Sequence, residues 1–243
     1  MQSQLIRITK MLRGESDELR IAEALADVWN LLTDEERQLV VGSIQMVHYS
    51  KNETIYNEGD KPVCLYCLAN GKIKICKMGV SGRQQIIRMV KPKDFFGYSA
   101  SFAGVNYIAN ATVMEDSDVF HIPLYVARKV VTNNLPVSVF FLQRLAAHLG
   151  ESMDSTVSLT QKHIRGRLAE ALIRLRDSFG LLDDGQTLAI TASREELANL
   201  SNMTTSNAIR TLSAFVQEGL VETDGRKIRL LDEAQLKKIS DNG

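Results

Sequence analysis

Between Thr191 and Arg226 the chain collects side chains suited to holding anions and the edges of heterocycles. Thr204, Thr205, Ser206 and Asn207 place four short hydrogen-bonding groups in succession, and Arg210 adds a long cationic fork one turn on. Hydroxyls and amides both donate and accept, while a guanidinium offers paired donors matched to a phosphate or a purine edge. That is the chemistry of recognising nucleic acid rather than of breaking bonds. The sequence holds no nucleotide-binding P-loop, no G-x-S-x-G elbow, no H-E-x-x-H and no credible triad, so an enzyme is not expected. Alone, the polar run also fits the solvated face of an ordinary helical hairpin. The elements around it decide the matter.

Ser193 followed by Glu196 is a capping box and starts a helix whose inward residues are Leu197, Ala198 and Leu200. Asn202 ends it, since Asn tolerates the left-handed conformation that a sharp turn needs. Thr204 then caps a second helix with an apolar stripe of Ala208, Leu212 and Phe215. Two helices joined so tightly make a helix-turn-helix. Leu220–Glu222 and Lys227–Leu231 flank Asp224-Gly225 as a β-hairpin, which adds a wing. Upstream, Gly166–Arg176 is an amphipathic helix, and Leu188–Thr191 reads as a short strand leading into the motif.

The remaining length suits a second domain within the 243 residues. Net charge is +0, so any nucleic-acid contact must come from locally placed cations. No apolar run reaches membrane-spanning length, and Met1–Arg13 mixes cations with its apolar residues unlike a signal peptide, which points to the cytoplasm. Ser16–Leu32 and a segment opened by Thr33-Asp-Glu-Glu36 read as scaffold helices; the first twenty residues suggest at most a short helix. From Met46 the period becomes two. Strands are expected at 46–49, 54–56, 64–69, 72–78, 83–90, 110–113 and 118–122, with Asn70-Gly71 as a hairpin turn. Such spacing predicts an antiparallel jelly-roll β-barrel. A long helix follows, with Pro136 in its first turn. Leu142, Leu145, Leu149, Ser152, Thr156 and Leu159 form a heptad-like seam, while Phe140, Phe141 and Ala146 lie off it and face the barrel. A helix apolar on two sides needs two partners, and the same helix of a second subunit is the economical choice. The domain boundary is expected near His163, inside continuous helix. The fold class is therefore α+β: an antiparallel jelly-roll β-barrel, a long dimerisation helix and a C-terminal winged helix-turn-helix.

With these elements in place, the chain resembles the Crp/Fnr family of bacterial transcription regulators. The likeness rests on Leu32–Glu36, Ile55–Asp60, Cys64–Lys74, Asp94–Gly97, Gly166–Ala169 and Ile190–Gly225 in that order. It implies an N-terminal extension at 1–20, a cyclic-nucleotide-binding-like sensor barrel at 21–134, a dimerisation helix at 135–162 and a winged helix-turn-helix at 163–243. It also implies a homodimer on double-stranded promoter DNA that acts on RNA polymerase. By the same resemblance Thr205, Ser206 and Arg210 reach base edges. Thr191, Ser193, Arg194, Thr204, Asn207 and Arg226 are assigned to phosphates. Family members that bind cyclic AMP carry Gly-Glu and Arg-Ser pairs where this chain reads Gly97-Tyr98 and Ala109-Asn110-Ala111, and Ser99–Val113 holds no Arg or Lys. Burying a phosphate without a cation is costly, so cyclic AMP is not the expected effector. A neutral or amphipathic effector would be lined by Tyr98, Asn106, Tyr107, Asn110 and Ser152 or Met153, unless Tyr98 merely fills the vacated pocket.

Cys64, Cys67 and Cys76 fall short of an iron–sulfur set, and residues three apart in a strand face opposite ways, so ordinary buried thiols are expected. His121 and His148 are read as structural rather than haem ligands, and no metal or other cofactor is expected. The rival reading is a ligand-binding barrel whose helix-turn-helix contacts protein instead of DNA.

Overall fold

The computed structural model describes residues 9–11, 15–79 and 82–243, with side chains from Asp17 onward. The chain divides into two compact units: the described residues up to Lys77 with Arg88–His148, and Met78–Ile87 with Leu149–Gly243.

In the first unit, β1 (Thr9–Met11), β2 (Gln45–Tyr49), β4 (Cys64–Met78), β5 (Gln84–Val90) and β7 (Asn110–Pro123) lie in the order β1-β2-β7-β4-β5. The short strands β3 (Thr54–Tyr56) and β6 (Phe95–Phe96) pair with β7 and β4. Where registers are described the pairing is antiparallel. Strand alternation sorts the side chains into two cores. Leu65, Cys67, Phe95 and Phe120 enter one cluster; Tyr66, Leu68, Phe96 and Val119 enter the other. The first cluster is closed by α1 (Glu15–Trp29), α2 (Asp34–Ser43), α4 (Leu124–Asn133) and the start of α5 (Leu135–Gln161). Phe141 of α5 packs edge-on to Phe95 with centroids 5.5 Å apart, so the off-seam phenylalanine faces the sheet domain as its spacing suggests. Thr33 opens α2, as expected, and forms a capping box with Glu36. Asn134, buried, opens α5 by accepting from Val137 N at 3.1 Å and donates to Leu31 O and Glu36 Oε2 at 2.9 and 2.7 Å.

Several expectations are corrected. Asn70-Gly71 is not a hairpin turn: β4 runs straight through it with register shifts on both sides, and β7 is likewise one strand instead of two. Gly71 takes φ +98 at this bulge, where an added Cβ would sit 2.0 Å from Ser117 Oγ on the neighbouring strand. The Asn-Gly pair therefore serves a close crossing rather than a reversal. Within the first twenty residues the described segment Thr9–Met11 is a strand paired with β2, not a helix; the rest of Met1–Gly14 lies outside the described residues. Helices α3 (Tyr98–Ala103) and α4 have no counterpart in the sequence reading.

The second unit contains α6 (Ile164–Phe179), α7 (Arg194–Leu200), α8 (Thr205–Gln217), the hairpin β8 (Val221–Asp224) and β9 (Lys227–Leu230), and α9 (Glu233–Asp241). Helix α6 packs against α7, α8 and α9, burying Leu168, Leu172 and Leu175. The helix does not run through His163, whose extended backbone (ψ 161) separates α5 from α6; the division between the units falls inside α5, at His148 and Leu149. The strand expected at Leu188–Thr191 is reduced to isolated bridges, Leu181 with Leu188 and Thr187 with Arg229. Asp184 fixes that approach, accepting from Gln186 N, Thr187 N and Thr187 Oγ1 at 3.0, 2.8 and 2.6 Å. Those donors, chiefly the Thr187 hydroxyl, hold its carboxyl down at about 2.

Candidate nucleic-acid interface

The helix-turn-helix is built from local signals. Ser193 Oγ accepts from Glu196 N at 3.1 Å and Glu196 Oε2 accepts from Ser193 N at 2.9 Å, so α7 starts on a full capping box. Asn202 adopts φ 47, the left-handed step of the turn. Met203, buried, returns its N–H to Ala198 O at 3.0 Å. Thr204 then caps α8 by accepting from Asn207 N at 3.2 Å. Ala208, Leu212 and Phe215 are buried, and Leu197 and Ala198 of α7 are buried with them.

The turn has a further support that sequence reasoning passed over. Arg167 of α6 donates Nε to Ser201 O at 2.9 Å, Nη2 to Asn202 O at 3.3 Å and Nη1 to Lys162 O at 2.9 Å. Carbonyls at the end of a short helix otherwise lack donors, and a guanidinium supplies several in one plane. The signal was present only as an Arg inside the Gly166–Ala169 stretch; nothing in the sequence shows which carbonyls it reaches. Charge-assisted hydrogen bonds contribute about 1.5–3 kcal/mol each and are not additive. Arg167→Ala is therefore expected to destabilise the second unit by about 3 kcal/mol. Urea unfolding followed by far-UV circular dichroism should show an early loss of helix. Fluorescence of Trp29, the single tryptophan and a residue of the first unit, should keep its midpoint.

With Ala208, Leu212 and Phe215 facing inward, α8 presents Thr205, Ser206 and Arg210 exposed on the other side. Among the described residues the Arg210 guanidinium has one hydrogen bond, a long one from Nη2 to Asn207 Oδ1 at 3.5 Å. Thr191 and Thr204 are exposed, Ser193 and Asn207 half-buried. Ser193 and Thr204 accept in their caps, which leaves each hydroxyl proton to donate. Arg194 is half-buried, with a buried Nη1 that has no partner among the described residues. Arg226 is exposed in the wing turn between Asp224 and Lys227, which pair across the hairpin.

The residues expected around an effector are placed as follows, each within its own unit. Tyr98 is buried in the helix-side cluster and pairs its hydroxyl with His148 Nδ1 at 3.0 Å. Burial, then the Arg88 and Arg144 charges, hold His148 down at about 4, so this is a neutral pair at neutral pH. Tyr107 instead lies in the other core, stacked on Tyr56 with centroids 3.7 Å apart. Asn106, Ser152 and Met153 are exposed, and Asn110 accepts from Glu58 N at 2.7 Å. A cation outside the Ser99–Val113 segment, Arg88, does approach Tyr98. It is committed to Phe95 O at 3.1 Å and lies 3.8 Å from Asp94. Cys64 flanks one core and Cys67 lies inside the other, and burial pushes both thiols up.

On α5, Leu142 and Leu149 are 65% and 58% exposed, and Ser152 and Thr156 are exposed beside them. Leu145 packs against the helix-side cluster and Leu159 is half-buried, so both are less exposed than the rest of the predicted seam. The exposed apolar stripe runs instead through Leu142, Leu149, Met153 and Val157. An unsupercoiled helix drifts away from a seven-residue repeat by about 20° per heptad.

Two family models match the chain: a cyclic nucleotide-binding domain over residues 46–134 and a Crp-like helix-turn-helix domain over residues 166–239. The CRP-like cAMP-activated global transcriptional regulator of Mycobacterium tuberculosis is 24% identical over 197 residues, spanning 80% of this chain and 88% of that protein. The transcriptional regulator LdrP of Thermus thermophilus is 28% identical over 197 residues, spanning 79% and 95%. Among solved structures, FixK2 from Bradyrhizobium japonicum superposes with a TM-score of 0.73 at 23% identity, covering 81% of this chain and 96% of that one.

Proposed function

Because the chain belongs to the Crp/Fnr family of transcription regulators, we propose that it binds promoter DNA as a homodimer, with α8 of each subunit in the major groove. The observation that carries this is the exposed Thr205, Ser206 and Arg210 face of α8, set opposite a fully buried one. Arg210 takes a guanine, since a guanidinium spans its O6 and N7. Thr191, Ser193, Thr204 and Asn207 hold the backbone with short donors, and Arg194 and Arg226 with charge. The exposed stripe of α5 supports the dimer. Such a protein works in the cytoplasm, with RNA polymerase as the further partner.

For the effector, what the sheet domain encloses favours a neutral or amphipathic molecule over a cyclic nucleotide. Tyr56, Tyr66, Phe96 and Tyr107 are all buried in one cluster, with Tyr66 and Phe96 stacked at 5.2 Å. Burial raises the Tyr107 hydroxyl to about 12, and Arg88, the cation whose charge acts on Tyr56 there, is held by Phe95 O and Asp94. A phosphate entering there would displace aromatic packing and would have to draw Arg88 away from Phe95 O and Asp94.

A mobility-shift experiment on a mixed promoter library tests the proposal. A retarded complex is expected, of equal affinity with and without cyclic AMP. Arg194→Ala and Arg226→Ala should weaken all sequences alike, and each should flatten the salt dependence by about two units of slope, since each frees one phosphate per subunit of the dimer to keep its counterion. Absence of any complex would favour the protein-contact reading of the helix-turn-helix.

A further inference from the structure

The outward face of α8 is not wholly polar. Ile209, directly before Arg210, is 46% exposed, although burying an Ile is favourable and the inward face of the same helix is fully packed with Ala208, Leu212 and Phe215. At 100° per residue, Ile209 lies between Thr205 on one side and Ser206 and Ser213 on the other, all of them exposed. Thr205, Ser206 and Ser213 are short, so they shield the outer part of its side chain little. The exposed part of this side chain costs solubility and adds no burial within its own unit.

We propose that Ile209 is a base-reading residue that seats on the C5-methyl group of a thymine in the half-site that holds the Arg210 guanine. In the major groove only thymine among the four bases presents a methyl group, and apolar side chains recognise it by contact rather than by hydrogen bonds. The short Thr205, Ser206 and Ser213 let α8 lie deep enough for a branched aliphatic side chain to reach that methyl. This assignment adds to the proposed DNA-binding function and rests on it. It extends the reading set beyond Thr205, Ser206 and Arg210, and it means the operator is read partly by shape and apolar contact.

The test uses the full chain. Binding-site selection first fixes the preferred half-site; each thymine in it is then replaced singly by uracil, which removes only the methyl group. The expected result is one position per half-site where uracil weakens the wild-type protein about fivefold, a loss that vanishes in Ile209→Ser and persists in Ile209→Val. Because Ile209 is exposed, Ile209→Ser should fold normally, which circular dichroism checks. If no single uracil weakens the wild type, or if the same loss remains in Ile209→Ser, the assignment is overturned while DNA binding stands. If selection recovers no preferred sequence at all, the DNA-reading proposal falls and this one with it.

Discussion

Gly71→Ala should be the most damaging single methyl group that can be added to the first unit. Gly71 sits at φ +98, where an L-residue costs about 1–3 kcal/mol in backbone strain alone. The new Cβ would also lie 2.0 Å from Ser117 Oγ and 2.8 Å from Ser117 Cα. The hydroxyl cannot simply rotate away, because the clash includes backbone and Ser117 is itself engaged. Its Oγ donates to Glu115 O at 2.6 Å and accepts from Lys72 N at 3.2 Å. Separating β4 from β7 would break a ladder that runs from Cys64 with Pro123 to Cys76 with Asn110. Adding overpacking of about 1–3 kcal/mol gives a total near 4 kcal/mol. The thermal midpoint followed by Trp29 fluorescence should fall by about 10 °C or more. The second-site change Ser117→Gly removes the side-chain part of the clash but not the strain at φ +98. Gly71→Ala with Ser117→Gly should therefore recover only part of the loss relative to Ser117→Gly alone. If Gly71→Ala melts like the wild type, the close crossing of β4 and β7 is wrong.

The same dipeptide shows where sequence reading stops. Asn70-Gly71 signals a positive φ correctly, but a turn and a bulge in a long strand ask for the same residue. Only the pairing with β7, more than forty positions later, decides between them. By contrast, the reading head was legible because its determinants are local. Ser193 with Glu196, Asn202 at its left-handed step and Thr204 at the next cap each act within four residues. The inward stripe Ala208, Leu212 and Phe215 fixes by subtraction which residues of α8 face out, and those are the candidate readers. Arg167 and Arg88 were not legible, since their partners are carbonyls scattered along the chain and carbonyls carry no sequence signature. The surroundings of Tyr98 and Tyr107 were not legible for the same reason. Tyr98 and Tyr107 are nine residues apart, yet the intervening α3 sends them into different cores. The short helices α3 and α4 follow strand ends without a side-chain cap hydrogen bond, so the signal that announced α2, α7 and α8 is missing there.

Arg210→Ala is expected to remove the guanine preference of each half-site while leaving the protein folded. Arg210 is exposed, and its long bond to Asn207 Oδ1 at 3.5 Å contributes little to stability. Thermal unfolding should therefore be within about 0.5 kcal/mol of the wild type. On DNA the effect is of another order. A bidentate contact to guanine discriminates by about 1–3 kcal/mol, and a symmetric dimer forfeits it in both half-sites. Even at about 1.4 kcal/mol for each guanine, the pair corresponds to about 100-fold weaker binding of the preferred operator. Non-specific affinity should fall much less, because Arg194, Arg226 and the backbone donors remain. Arg210→Lys separates charge from geometry. Lysine keeps the positive charge but offers a point donor in place of a planar fork, so it should restore non-specific binding fully and guanine selectivity only in part. Competition assays on the selected operator, with guanine replaced by 7-deazaguanine, provide the check on the DNA side. Removing N7 should weaken the wild type and leave Arg210→Ala unaffected at the same position. Equal losses in both proteins would show that some other residue reads that guanine and that α8 lies in the groove in a different register.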